Sequence, residues 1–395
     1  MPLESSILKV LAYFDLFNYP VSGEEIFFFL DSRTAPSALP AVLGSLVAEK
    51  RIYRHDGLFS LRDDRSLMTK RLTGNVRAGI LLSIAAKNAR FLFQFPFVRG
   101  IGVSGSLSKN YADENADIDY FVITHTGRLW IARTLMHLYK KLTFLTGRQH
   151  RYCMNYYIDE KAIEIEEKNE FTAIELVTLK PFCGNGTIDK LFSANDWALA
   201  YYPNSTPGKG NHTSMTGQTT PGTFKGIPGI RFHNSGEGSD TPAAGTGPIR
   251  TDDMPLALKD SRLKKILETC LSHPLIDRLD DYCLRVTSRR WKKKEEGKKV
   301  NMKGLPMALQ TGKHYAKPNP AFLQRNIMRR FSEKLRELGI RPAYPPLHAH
   351  VPGTTPELTP NPVPGCTPST VPGYTPSPVP DLTAAPPADR FAFGK

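Results

Sequence analysis

Apolar residues in the first ninety positions recur at the spacing of helix faces. Ser6–Phe17 carries Ile7, Val10, Leu11, Phe14 and Phe17 on one stripe, and Tyr19-Pro20 breaks it. Ser22 and Glu25 form an S-x-x-E capping signature for a second helix, Glu24–Leu30. A third, Ala38–Lys50, carries Leu39, Val42, Leu43, Leu46 and Val47. Ile52–Leu61 (IYRHDGLFSL) reads as a hairpin turning at Asp56-Gly57. Asp63–Phe93 is helical again, with an apolar face through Leu67, Leu72, Val76, Ile80, Ile84 and Phe91.

The pattern changes over Ile101–Thr124 (IGVSGSLSKNYADENADIDYFVIT). A short apolar strand runs into Gly105-Ser106, and Asp117-Ile118-Asp119 opens a second apolar strand. Residues i and i+2 of a strand share a face, so Asp117 and Asp119 are expected to project together while Ile118 points into the core. Two neighbouring carboxylates repel unless a cation lies between them, and oxygen ligands select hard cations, Mg²⁺ or Mn²⁺. Gly105 lets a phosphate approach the backbone closely. Ser106 adds a hydroxyl and an N–H at the start of Leu107–Tyr111, whose N-terminus favours an anion if the segment is helical. Such a layout suits a nucleoside triphosphate beside two divalent metals, one activating the attacking oxygen and one neutralising the leaving pyrophosphate.

Beyond this stretch, Arg128–Leu145 reads as a helix ended by Gly147, and Arg151–Ile158 (RYCMNYYI) as a neighbouring strand. The alternating run Ala162–Glu166 is a candidate further strand. Asn169–Pro181 reads as a helix with Phe171, Ile174, Leu176 and Leu179 in the core and Glu175 on the surface. Trp197 and Tyr201-Tyr202 are expected to close the core.

Gly105-Ser106, ten residues, Asp117-Ile118-Asp119 and the apolar run Tyr120–Ile123 together resemble the DNA polymerase beta-like nucleotidyltransferase superfamily. In spacing they are most like its small bacterial minimal nucleotidyltransferase domains. The resemblance implies a mixed α/β domain with a short sheet, triphosphate binding by Gly105 and Ser106, and metal ligation by Asp117 and Asp119. Lys109 stands where these domains often carry an Arg, which makes it a candidate phosphate contact. The superfamily also uses a third carboxylate on a neighbouring strand. The slot for it here holds Asn155, an amide that ligates weakly and cannot act as a general base near neutral pH. Asp159 and Glu164 are the two nearby substitutes.

Composition limits how much of the chain folds. The 32 Pro and 30 Gly of the 395 residues are concentrated in two stretches, so the folded part is shorter than the length suggests. Residues 205–255 are dominated by Gly, Ser, Thr, Pro and Asn and bury too little surface to offset their ordering entropy. Val351–Leu382 consists of tetrapeptides with proline at every fourth position, which neither helix nor sheet accommodates. The expected organisation is a winged-helix-like domain over 1–62 and a nucleotidyltransferase core over 63–204. A disordered insertion (205–255), a basic helical region (256–340) and a disordered Pro-rich tail (341–395) follow. Ser261–Ile340 holds 20 Lys/Arg against 8 Asp/Glu, nearly all of the chain's +14 net charge. Its densest run is Arg289–Lys299, where Trp291 offers a stacking face, so residues 285–299 are a candidate nucleic-acid contact. The third helix of the winged-helix-like unit is nearly uncharged, which argues against DNA binding there.

No run of about 18 apolar residues predicts a membrane span. The opening MPLESSILKV lacks the features of a leader, and the five cysteines are scattered without a C-x-x-C pair. A cytoplasmic protein is expected, with an NTP (such as ATP) as substrate and Mg²⁺ or Mn²⁺ as cofactor. Its acceptor would be a small molecule, a protein or an RNA end. The rival readings are a nucleotide-binding regulator with weakened chemistry and a winged-helix DNA-binding regulator. Deleting Val351–Lys395 is expected to leave nucleotide affinity unchanged in a calorimetric titration; a large loss would make the tail part of the site.

Overall fold

The computed structural model describes residues 2–143, 145, 147, 151–208, 258–271, 273, 275–297, 307–320 and 323–341. The expected insertion beyond residue 208 and the Pro-rich tail beyond 341 lie outside the described residues.

The N-terminal helical periods become α1 (Leu3–Asp15), α2 (Gly23–Phe28) and α3 (Leu39–Ala48), with a two-residue strand β1 (Val21–Ser22) before α2. The capping box forms as its sequence specifies. Ser22 Oγ accepts from Glu25 N at 3.2 Å, and Glu25 Oε2 accepts from Ser22 N at 2.8 Å. β2 (Tyr53–His55) and β3 (Leu58–Ser60) are joined through Asp56 (φ 50°) and Gly57 (φ 80°), the left-handed pair a two-residue hairpin turn requires. β3 also pairs with β1, giving an antiparallel sheet in the order β1-β3-β2.

α4 (Ser66–Phe93) runs from this unit across a second, larger sheet. Its buried face follows the expected stripe at Leu67 and Ile84 and departs from it elsewhere. Ala78, Ala85, Ala86 and Ala89 face the core, while Leu72, Ile80 and Phe91 are 39%, 43% and 45% exposed. The strand beneath supplies the bulk: Val98, Ile101 and Val103 of β4 (Val98–Val103) share a core cluster with those alanines, so small residues on the helix complement large ones on the strand. After β4 come α5 (Gly105–Ser108), β5 (Asp119–Thr124), α6 (Leu129–Thr143) and β6 (Cys153–Asp159). α7 (Glu170–Val177), β7 (Lys180–Cys183), α8 (Thr187–Ala194) and α9 (Ala198–Tyr201) follow. The single helix expected over Asn169–Pro181 is thus a shorter helix and a strand, because Lys180–Cys183 completes the hydrogen-bonding edge of β4. The strand expected over Ala162–Glu166 does not form. Residues 160–162 are one 3₁₀ turn, and Ile165 N is fastened to Asn195 Oδ1 at 2.8 Å.

The basic C-terminal region is not purely helical. α10 (Arg262–Cys270) and α11 (Leu275–Glu296) are followed by a hairpin, β8 (Met307–Thr311) and β9 (Tyr315–Pro320), and then α12 (Leu323–Glu337). β9 pairs with β6, so this region extends the central sheet, whose order is β7-β4-β5-β6-β9-β8. Among the described strands only β5 and β6 pair in parallel, and α6 is the crossover between them. One face of the sheet carries Tyr120, Val122, Met154 and Tyr157 under α4, α6 and α11. The other carries Phe121, Ile123 and Ile158, in one cluster with α7, α12 and residues of α1 to α3. Among the described residues, no helix is long and apolar enough to cross a membrane.

Buried and half-buried ion pairs fasten the first sixty residues to the rest. Arg71 on α4 meets Glu25 in a two-point pair at 2.6 and 3.0 Å, with both side chains buried and the Tyr19 ring 4.5 Å from the guanidinium. Lys9 lies 2.9 Å from Glu170, and Lys334 of α12 lies 3.0 Å from Asp15. Replacing Glu25 by Ala strands a buried guanidinium and is expected to cost about 3–5 kcal/mol in urea unfolding. Glu114→Ala, at the exposed pair with Arg77, is expected to cost less than about 1 kcal/mol. Equal effects of the two substitutions would refute the fastening role.

Candidate functional site

The candidate chemistry gathers where β4 ends and β5 and β6 begin. β4 and β5 are antiparallel with Val103 opposite Tyr120, and Ser104 N donates to Asp119 O at 3.0 Å. This register folds the Gly105-Ser106 turn back over the first residue of β5. Gly105 has φ +70°, and a Cβ there would lie 2.8 Å from Asp119 Oδ2. The glycine is favoured by its left-handed backbone, and it lets the Asp119 carboxylate lie close against the turn. Ser106 is exposed at the head of α5, which is only four residues long and so contributes little dipole.

Asp117 departs from the expected strand pairing. β5 starts at Asp119, and Asp117 lies in the loop just before it. Ile118 nevertheless keeps its backbone bond to Cys153 N at 3.2 Å and its side chain is buried in the core. Asp117 and Asp119 are both half-buried.

Of the three candidates for a third ligand, the structure brings one to the site. A shift in the β5–β6 register puts Tyr120 opposite Met154 and Phe121 opposite Tyr156, leaving Asn155 as the extra residue of a bulge. Its Nδ2 donates to Asp119 Oδ1. Its Oδ1 accepts from Cys153 Sγ at 3.1 Å. Burial first, and the nearby Asp119 charge second, push the Cys153 thiol up to about 12, so it stays a protonated donor. The thiol thereby holds the amide with its N–H toward the carboxylate.

Asp159 lies away from the site. It pairs with Thr124 at the far end of the strands, six residues along β6 from Cys153, on the order of 20 Å away. There its fully buried carboxylate accepts from Gly127 N (2.9 Å) and Lys161 N (3.0 Å) and lies 2.7 Å from His314 Nδ1. Glu164 is exposed outside any strand and paired with Lys168 at 2.6 Å.

Glu175, expected on the surface, is instead part of the site. Its Oε2 accepts from Gly105 N at 3.1 Å, and its Oε1 lies 2.7 Å from Lys109 Nζ. Lys109 also donates to Gly105 O at 3.2 Å. The only hint of this in the sequence is an acid inside the apolar stretch Ala173–Val177. Further support comes from the N-terminal unit, where Tyr19 OH donates to Lys109 O (3.2 Å) and the Tyr19 ring meets Tyr111 edge-on (5.4 Å).

Among the described residues no group of three or more His, Cys, Asp or Glu is placed to hold a metal. Two carboxylates with a neighbouring amide nevertheless fit Mg²⁺, which is commonly bound by one or two carboxylates, waters and substrate phosphate. The basic run offers less than its sequence suggested. Trp291 is buried 6.4 Å from Trp130 and 4.6 Å from the Arg133 guanidinium, so it presents no stacking face, while Arg285, Arg289, Arg290 and Lys292–Lys294 are exposed. The chain matches no protein-family model, no curated protein and no solved structure.

Gly105→Ala is expected to cost about 1–3 kcal/mol in chemical denaturation, from the left-handed backbone. Ser106→Ala, at an exposed hydroxyl, is expected to stay within about 0.5 kcal/mol of the parent. A Gly105→Ala protein of parental stability would show that the left-handed turn is not kept in solution.

Proposed function

We infer that this protein is a metal-dependent nucleotidyltransferase of the DNA polymerase beta-like type, slowed by the amide at its third acidic position. The observation that carries the reading is the placement of the Gly105 turn against Asp119 by the β4–β5 register, with Lys109 beside it. Asp117 and Asp119 would hold Mg²⁺ or Mn²⁺, which when bound activates the attacking oxygen and neutralises the leaving pyrophosphate. The Gly105 N–H, the exposed Ser106 and Lys109 would orient the triphosphate, so that catalysis is mainly positioning and electrostatic. The N-terminal unit, three helices with a β1-β3-β2 sheet, supports a winged-helix-like reading. Its contacts through Tyr19 favour a bracing role over DNA binding. The scattered cysteines support a cytoplasmic setting.

A second reading, a nucleotide-responsive regulator without turnover, is favoured by one observation. Asn155 turns an N–H to Asp119 where a base would be needed to take the acceptor's proton.

Label transfer from α-³²P NTPs, with Mg²⁺ or Mn²⁺ and cell lysate as acceptor, tests both. Label should appear with the parental chain and be lost with Asp117→Ala or Asp119→Ala; transfer at the parental rate by either variant would refute the assignment. A labelled small molecule, protein or RNA end names the acceptor class. Asn155→Asp, which supplies a carboxylate, should raise the transfer rate on the order of 10²-fold. Metal-dependent nucleotide binding with no label from the parent or from Asn155→Asp would favour the regulator.

A further inference from the structure

The Gly105 turn already holds an anion, and that anion belongs to the chain. Glu175 reaches from α7 with one oxygen on the Gly105 N–H and the other on the Lys109 ammonium. These are the two donors that a phosphate at this turn would use. Lys109 and Glu175 keep 13% and 26% of their side-chain surfaces, so the pair is neither locked in the core nor freely solvated. A pair of this kind is strong enough to persist and open enough to be exchanged for another anion.

We propose that Glu175 is an internal competitor for the nucleotide's phosphates: its carboxylate occupies the Gly105 N–H and the Lys109 ammonium until a polyphosphate displaces it, and so sets the affinity of the site. The proposal rests on the nucleotide reading above. It does not draw on a helix dipole, since α5 is a single turn. Displacement leaves no buried charge without a partner, because Lys109 passes from one anion to another and the Glu175 carboxylate, partly exposed already, turns to water. Nor does it undo the packing of α5 on α7, which has a second fastening in the Ser108 Oγ to Thr178 Oγ1 bond at 3.3 Å.

Glu175→Gln separates competition from simple support. The amide oxygen can still accept from Gly105 N, while the charge that holds Lys109 is gone. Binding of inorganic tripolyphosphate and of Mg·ATP is measured by calorimetry on the full chain, for the parent, Glu175→Gln, Lys109→Met and Glu164→Gln, with each Tm as a control. Glu175→Gln should bind tripolyphosphate about three- to tenfold more tightly, the gain expected on removing one competing charge-assisted contact. Lys109→Met should bind it more weakly, and Glu164→Gln should match the parent. A strut would behave in the opposite way, its loss loosening the turn and weakening the affinity. Unchanged or weaker binding by Glu175→Gln overturns the proposal, as does a failure of both parent and variant to bind tripolyphosphate. Tighter tripolyphosphate binding without label transfer from any NTP would leave the competitor standing and remove the transferase reading. Label transfer without tightening would do the reverse.

Discussion

The antiparallel register of β4 against β5 is the constraint on which the site depends. With Val103 opposite Tyr120, the chain leaving β4 must turn at once above the first residue of β5. Gly105 makes that turn with a left-handed backbone and leaves room for the Asp119 carboxylate at its Cα. The same strand is lined with glycine on one face for a second reason. A Cβ at Gly100 would meet Ile123 and Ile188 at 3.2 Å, and one at Gly102 would meet the Lys180 carbonyl oxygen at 3.1 Å. Bare backbone on β4 lets α8 and the edge strand β7 close in, which fixes the strand whose end carries the turn.

The first sixty residues bear on this site through buried polar contacts rather than through a surface of their own. Arg71 and Glu25 tie α2 to α4, and the Tyr19 ring lies over that pair while its hydroxyl reaches the Lys109 carbonyl. Burial raises the Tyr19 phenol far above its ordinary range, so it remains a hydrogen-bond donor. From the other side of the turn, Asn75 of α4 donates to the Asn110 carbonyl at 2.6 Å. The loop from Gly105 to Tyr111 is thus held by the N-terminal unit, by α4 and by α7. A displacement of Glu175 would leave the first two in place, and the Ser108–Thr178 bond of the third.

Asn155 sits in a bulge of β6 with its amide against Asp119. An aspartate there would add a third negative charge beside Asp117 and Asp119. The amide instead bridges the Asp119 carboxylate and the Cys153 thiol. Amide orientation is set by such partners, and a cation at Asp119 would favour turning the oxygen inward.

Local signals in the chain were sufficient for most helices, the α2 capping box, the left-handed hairpin turn at Asp56-Gly57, and the pairing of Gly105-Ser106 with the acidic stretch ending at Asp119. Each depends on a few neighbouring residues and on side-chain period, which the order of amino acids determines directly. Everything that depends on a distant partner was decided by the tertiary structure. Lys180–Cys183 is a strand because β4 had a free edge, and β8 and β9 are strands because β6 had another. The alanine face of α4 is buried because bulky residues of β4 lie beneath it, and Trp291 is buried because Trp130 and Arg133 meet it there. Asp159 and Glu175 exchanged their expected places for the same reason. Strand register carried Asp159 to the far end of the sheet, and the packing of α7 on α5 brought Glu175 to Gly105. A residue's period states which way it faces, whereas its neighbour across the fold decides what it does.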